Sequence, residues 1–232
     1  FNRRQKGMKL NMAKIGIYTL FYNSINYGGI LQAYALNRVI READNDCEVL
    51  NFNYDYSIDT RSRIKIQLKK GIFSFIKKSC LHVFNKNKFK KYSVLAKGRR
   101  EAFKEFVDKN IKYSKTYNSK TLKQAADDYE VFVCGSDQVW NCGNFINTAA
   151  FFDFVPDDKL KIAYAPSFGK SSISPQAAEI IKPLINRFQF LSAREIQGVK
   201  ILKELTTKSV SMVVDPVFLL NTSQWDDICS ER

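Results

Sequence analysis

The sequence predicts an α/β protein built on a parallel β-sheet flanked by helices, and three observations carry that prediction. The first fifty residues read as strand, glycine turn, helix and strand. Several short apolar strands further on end in turns of small and polar residues. Between those strands run segments whose apolar residues recur at helical spacing.

Residues 13–20 (AKIGIYTL) form the first buried strand, and residues 22–29 are a polar turn holding Gly28 and Gly29. Residues 30–41 place Ile30, Leu31, Tyr34, Ala35 and Val39 on one helical stripe, and residues 47–52 (CEVLNF) form a second strand. This βαβ opening is that of a Rossmann-like sheet. Residues 64–84 are basic and amphipathic, and residues 97–109 form a helix with Phe103, Phe106 and Val107 as its apolar stripe. The α/β rhythm resumes with a short helix over 121–126, then strands over 131–134 (VFVC) and 161–165 (KIAYA). Residues 175–188 form a helix capped by Ser174, with proline at its first position. A short strand over 190–193, a helix over 195–205 and a strand over 210–214 follow. The expected organisation is a leader at 1–13 and one α/β domain over 14–220, with a basic helical insertion at about 61–112. Residues 221–232 are read as the start of a second domain, cut short.

Composition narrows the function classes. The chain has 232 residues, of which 45% are hydrophobic and 13% aromatic, so it can bury a core and is not a disordered segment. No run of about 18 uncharged apolar residues occurs, so no membrane span is expected. The basic residues before Met8 lack the apolar stretch of a signal peptide. Cys47, Cys80, Cys134, Cys142 and Cys229 include no C-x-x-C pair, and His82 is the only histidine, which leaves zinc and iron–sulfur ligation without support. The cysteines are expected to be reduced and the protein cytoplasmic. The net charge is +14, and residues 61–112 alone carry 17 Lys/Arg against Glu101, Glu105 and Asp108, so the rest of the chain is balanced. That basic segment suits a solvated helical face, a nucleic acid or an anionic membrane surface. Its Lys pairs alternating with Phe and Ile favour peripheral membrane contact, and no nucleic-acid motif is present.

Ligands of doubly wound sheets gather at the carboxyl ends of the strands. Four polar turns are expected there, at residues 23–29, 135–141, 166–169 and 215–216. In Asn26-Tyr27-Gly28-Gly29, two glycines ahead of a helix admit close backbone approach, and the helix amino terminus favours anions. The same pattern also suits a plain tight turn. Gly135-Ser136-Asp137-Gln138-Val139-Trp140-Asn141 puts hydroxyl, carboxylate and amides beside a flat aromatic ring, a mix that suits a sugar, although Trp140 also suits a core position. Arg194, before a helix, suits bidentate binding of a carboxylate or phosphate, or a surface pair with Glu195. His82 is read as a packing or surface residue. Asp215 ends a strand and is within reach of a ligand.

Six segments taken together resemble one family. They are NYGGILQAYAL (26–36), VCGSDQVWN (133–141), FFDFV (151–155), IAYAPSFG (162–169), SAREIQG (192–198) and VVDPVFLL (213–220). In this order and at this spacing they resemble the polysaccharide pyruvyl transferases, over roughly residues 14–225. The resemblance implies the amino-terminal half of a fold similar to the two-domain GT-B glycosyltransferases, with the site in the interdomain cleft. It implies phosphoenolpyruvate as donor, no cofactor, and as acceptor a sugar of a surface polysaccharide, free or lipid-linked, that becomes a cyclic pyruvate ketal.

Transferred to the matching positions, the resemblance makes Arg194 an anion-holding cation and Asp137 a candidate base. Gln138 and Asn141 then orient the acceptor, Asn26, Tyr27, Gly28 and Gly29 line the cleft, and Gly135, Ser136, Trp140 and Ser167 contribute to substrate binding. Family members are longer, and their second domain brings further basic residues and a catalytic histidine that His82 does not replace. The chain alone is therefore expected to be weakly active or inactive. The competing expectations are a GT-B glycosyltransferase using a nucleotide sugar and a non-catalytic module that binds glycan or membrane.

Overall fold

The computed structural model describes residues 13–43, 45–54, 86–143 and 146–229, with side chains from residue 97 onward in the segment that opens at 86. His82, Cys80 and the amphipathic stretch 64–84 lie outside the described residues. Strand β1 (Lys14–Tyr18) leads through a loop to helix α1 (Tyr27–Glu42), then to β2 (Asp46–Asn53). Helix α2 (Lys86–Asn110) precedes β3 (Tyr113–Asn118). Short helix α3 (Ala125–Asp128), β4 (Val131–Cys134) and β5 (Leu160–Ala163) follow, then α4 (Pro175–Ile185), β6 (Leu191–Ala193), α5 (Ile196–Leu205), β7 (Val210–Met212) and α6 (Thr222–Asp226).

Five strands form one sheet in the order β3-β2-β1-β4-β5, and every pairing is parallel. Strands β6 and β7 pair in parallel with each other and continue the sheet through a bridge between Ile162 and Phe190. Ser192 stitches this junction, donating to the Ala163 carbonyl (2.7 Å) and accepting from the Ala165 amide (3.0 Å).

The central strands are apolar in succession because both faces are covered. Ile15, Ile17, Cys47, Val49 and Val133 share one core with Ala33, Tyr34 and Leu36 of α1 and Phe103 of α2. Tyr18, Leu50, Phe52, Phe132 and Cys134 point the other way, into a core with Trp140, Phe151, Phe152, Phe188, Ile181 of α4 and Leu202 of α5. Each fully buried large side chain contributes roughly 1.5–3 kcal/mol of apolar transfer. Asn26 caps α1 by accepting from the Gly28 amide (3.1 Å), and Ser174 caps α4 by accepting from the Ala177 amide (3.1 Å).

Two differences from the sequence reading stand out. The helix expected at 97–109 is the second half of α2, which begins at Lys86 and stands between β2 and β3 in the chain. Strand β3 itself was not expected. Its sequence, YSKTYN, has only Ser114 and Tyr117 buried, because an edge strand has little to cover and carries little apolar signal. The consequence for function is the placement of β1. The chain runs outward from β1 to β2 and β3, then returns to β1's other side for β4 and β5. A crevice opens at such a reversal, beyond the carboxyl ends of the strands.

Candidate functional site

Loops leaving β1, β4, β5, β6 and β7 meet on the carboxyl edge of the sheet. Arg194, one residue past β6, donates from Nη1 to Asp215 Oδ2 (2.7 Å) and to Ser136 Oγ (3.3 Å), and from Nε to Glu195 Oε1 (2.8 Å). Its Nη2 has no hydrogen-bond partner among the described residues. Burial pulls the Arg194 pKa down, but the hydrogen bonds to Asp215 and Glu195 outweigh it and hold the guanidinium above its ordinary value. Asp215 also accepts from Ser136 Oγ (3.0 Å) and caps the following turn through the Val217 amide (3.1 Å).

A polar chain runs from this ion pair into the core. Thr19 Oγ1 donates to the Ser136 carbonyl (3.1 Å), and Gln32 Nε2 donates to Thr19 Oγ1 (2.7 Å) and to the Gly29 carbonyl (2.8 Å). Gln32 is almost wholly buried and its Oε1 has no partner among the described residues. The sequence reading missed Thr19 and Gln32. The available signal was an amide within a run of helical residues that are otherwise apolar on that face, since a buried amide needs specific partners.

Asp137 lies beside this chain, half-buried, with φ 76°, a left-handed conformation that costs a non-glycine residue of order 1–3 kcal/mol and that clusters at functional positions. Its carbonyl accepts from the Ser167 amide (2.9 Å) and its Oδ1 from the Gln138 amide (2.7 Å). Its Oδ2 points over the start of α1. A methyl group on Gly29 would meet Oδ2 at 3.2 Å and Asn26 Nδ2 at 3.5 Å, so the absence of a side chain there lets both polar groups converge on the helix amino terminus. Asn26, Gly28, Gly29 and Asp137 therefore form one group, and Arg194 with Asp215 a neighbouring one, joined through Ser136.

Gln138 and Asn141 sit on the outer side of the same loop, with Asn141 Nδ2 donating to Gln138 Oε1 (3.3 Å). Gln138 lies over Gly169, whose φ is +61°, and a Cβ there would come within 2.7–3.0 Å of the glutamine side chain. Gly169→Ala combines a left-handed φ with this clash, and a loss of about 1–2 kcal/mol in urea unfolding is expected.

Some candidates are turned into the fold. Trp140 lies in the core. It is fully buried, its Nε1 donates to the Ala150 carbonyl (2.9 Å), and its ring stacks on Phe151 (5.2 Å) and touches Phe168 and Phe188. Its core role wins because the apolar residues around it fill both of its faces. Gly135 is also buried, packed within 3.3 Å of Leu36 at the position a Cβ would take. Ser136 and Ser167 are buried and spent on the scaffold, Ser167 by accepting from the Gly169 amide (3.0 Å). Tyr27 is exposed but turned toward α2, with Phe103 at 4.7 Å and the Arg99 guanidinium at 4.9 Å from its ring.

The cysteines near the site are not nucleophiles. Burial pushes the Cys134 thiol well up and the Cys142 thiol to about 11, so neither supplies a thiolate near neutral pH. Among the described residues no helix is long and apolar enough to cross a membrane. The arrangement as a whole offers a guanidinium, a carboxylate and a helix amino terminus around one crevice, which is equipment for holding an anionic small molecule and moving a proton beside it.

No curated protein matches the chain significantly. No solved structure matches it significantly either. The family model described as polysaccharide pyruvyl transferase matches residues 26–231, taking in the site residues from Asn26, the cap of α1, to Asp215. That match spans most of the chain, and the protein belongs to the polysaccharide pyruvyl transferase family.

Proposed function

We propose that this chain carries part of the site that transfers pyruvate from phosphoenolpyruvate to a sugar of a surface polysaccharide, as a cyclic ketal. The observation that carries the reading is Arg194, a charged fork at the carboxyl edge of the sheet whose Nη2 has no partner among the described residues, joined through Ser136 to the loop that holds the Asp137 carboxylate over the amino terminus of α1. In the reaction one sugar hydroxyl bonds to C2 of the enolpyruvate while the methylene carbon gains a proton and becomes a methyl group. The second hydroxyl then bonds to C2 and phosphate departs. Arg194 holds the donor's carboxylate or phosphate, and the Asp215 and Glu195 carboxylates fix its orientation. Asp137 accepts a proton from an attacking hydroxyl, and Gln138 and Asn141 orient the sugar. The sheet is read as one half of a GT-B-like pair of domains. Phosphoenolpyruvate as donor puts the reaction in the cytoplasm.

The test is a thermal melt of the chain with and without phosphoenolpyruvate, with UDP-sugars as the control. At a hundred times its Kd a bound donor stabilises by about 2.7 kcal/mol, a rise of roughly 5–10 °C for a chain of this size. Arg194→Ala, compared with its own ligand-free melt, is expected to lose that rise. A rise with UDP-sugars and none with phosphoenolpyruvate would assign the chain to nucleotide-sugar chemistry instead.

A further inference from the structure

A second concave site lies on the other side of the β1–α1 loop, and it shares no residue with the Arg194 group. It is a cleft of about 680 Å³, within the roughly 300–1,000 Å³ range of small-molecule sites. Its walls come from the β1–α1 loop, the carboxyl half of β2, strand β3, and the second half of α2.

The lining combines three kinds of group. Phe21 and Tyr113 pack ring to ring at 5.8 Å, and Phe103 adds a third aromatic wall. Asn51 and Thr116, joined by a 2.9 Å hydrogen bond, and Asn23, held at φ 48°, supply amides and a hydroxyl. The charged groups are not equivalent. Asp108 is paired, accepting from Lys104 and from the Tyr113 hydroxyl (2.6 Å). Arg99 does not line the cleft: it donates to the Ile25 carbonyl (2.8 Å) and lies over the Tyr27 ring. Arg100 lines the cleft, is exposed, and has no hydrogen bond or ion pair among the described residues. The cleft thus has flat apolar walls, neutral hydrogen-bonding groups and one uncommitted guanidinium.

We propose that this cleft binds a saccharide carrying an anionic group, with the sugar ring against the aromatic walls and its carboxylate or phosphate on Arg100. That the ligand is a saccharide rests on the transferase reading above. Aromatic faces suit the C–H side of a pyranose, the amides and the hydroxyl suit its ring hydroxyls, and a free guanidinium suits a carboxylate or a phosphate ester equally.

The full chain is titrated with glucuronate, glucose 1-phosphate, glucose and inorganic phosphate, with amide NMR shifts read at Asn23, Asn51, Arg100 and Thr116. Either anionic sugar, or both, should bind at these positions more tightly than glucose or inorganic phosphate, and which of them binds tells a carboxylate ligand from a phosphate one. Arg100→Gln lies on the surface and leaves the fold intact. It should weaken the anionic sugar by about tenfold or more and leave glucose unchanged. Binding of glucose as tight as that of the anionic sugars, equal binding of inorganic phosphate, or an Arg100→Gln titration identical to wild type would overturn the proposal. The same titration on Arg194→Ala is expected to be unchanged. Absence of a phosphoenolpyruvate melt shift in the wild-type chain, with cleft binding intact, would count against the transferase reading alone, and a melt shift without cleft binding against the cleft alone.

Discussion

Trp140→Ala is expected to cost about 3–5 kcal/mol of stability, measured as a fall in urea midpoint with an unchanged slope. The indole is wholly enclosed, stacked on Phe151 with an interplanar angle of 12° and bounded by Phe168 and Phe188. The alanine variant removes that area from the core, leaves a cavity lined by three rings, and strips the Ala150 carbonyl of its indole donor. Trp140→Phe should recover most of the packing and lose mainly the hydrogen bond, about 1–2 kcal/mol. If Trp140 were instead a sugar-stacking residue, alanine would leave the melt nearly unchanged and weaken ligand binding. The sign of the stability effect therefore separates the two roles.

Asp215→Ala is the second large effect, at about 2–4 kcal/mol. The carboxylate accepts three bonds, from Arg194 Nη1, Ser136 Oγ and the Val217 amide, and its pair with Arg194 is mostly shielded, with side-chain exposures of 28% for the arginine and 16% for the aspartate. A hydrogen bond to a charged group contributes about 1.5–3 kcal/mol and a helix cap about 1 kcal/mol. Removing one partner leaves the other uncompensated, so Arg194→Ala with Asp215→Ala should cost less than the two single losses added. Additivity within about 0.5 kcal/mol would show that the two side chains act independently. The comparison is made by equilibrium urea unfolding of all four proteins.

The parts of the fold legible in the sequence were those whose burial writes a periodic signal. Strands β1, β2 and β4 are apolar on both faces, and Ser174-Pro175 marks the start of α4 through a side-chain cap that forms as expected. Strand β3 left no such signal because its exposed positions outnumber the buried ones. The four polar turns expected at the carboxyl edge do meet there, since parallel strands deliver all their exits to one side. Inside those turns the chemistry of a residue did not reveal its direction. Trp140 and Ser136 are adjacent in kind to Asp137 and Gln138, yet the first two turn inward, and only the tertiary neighbours Phe151, Phe168 and Asp215 decide it. Thr19 and Gln32 escaped for the same reason. Thr19 bonds to a carbonyl 117 residues away, and Gln32 bonds to Thr19 as well as to the nearby Gly29 carbonyl.

That separation also has a consequence in time. The centre of the sheet joins β1 to β4 in parallel, Ile15 beside Val131, so the two strands cannot meet until all the intervening chain has been made. Parallel pairing over such a span closes a long loop before any contact rewards it, which makes folding slow and sensitive to chain length. While the chain is still growing, the β4 side of β1 has no neighbour, and Ile17 waits for Val133, its partner in register and in the same core. The nascent chain therefore passes through a stage in which an apolar strand is finished well before the strand that covers its edge.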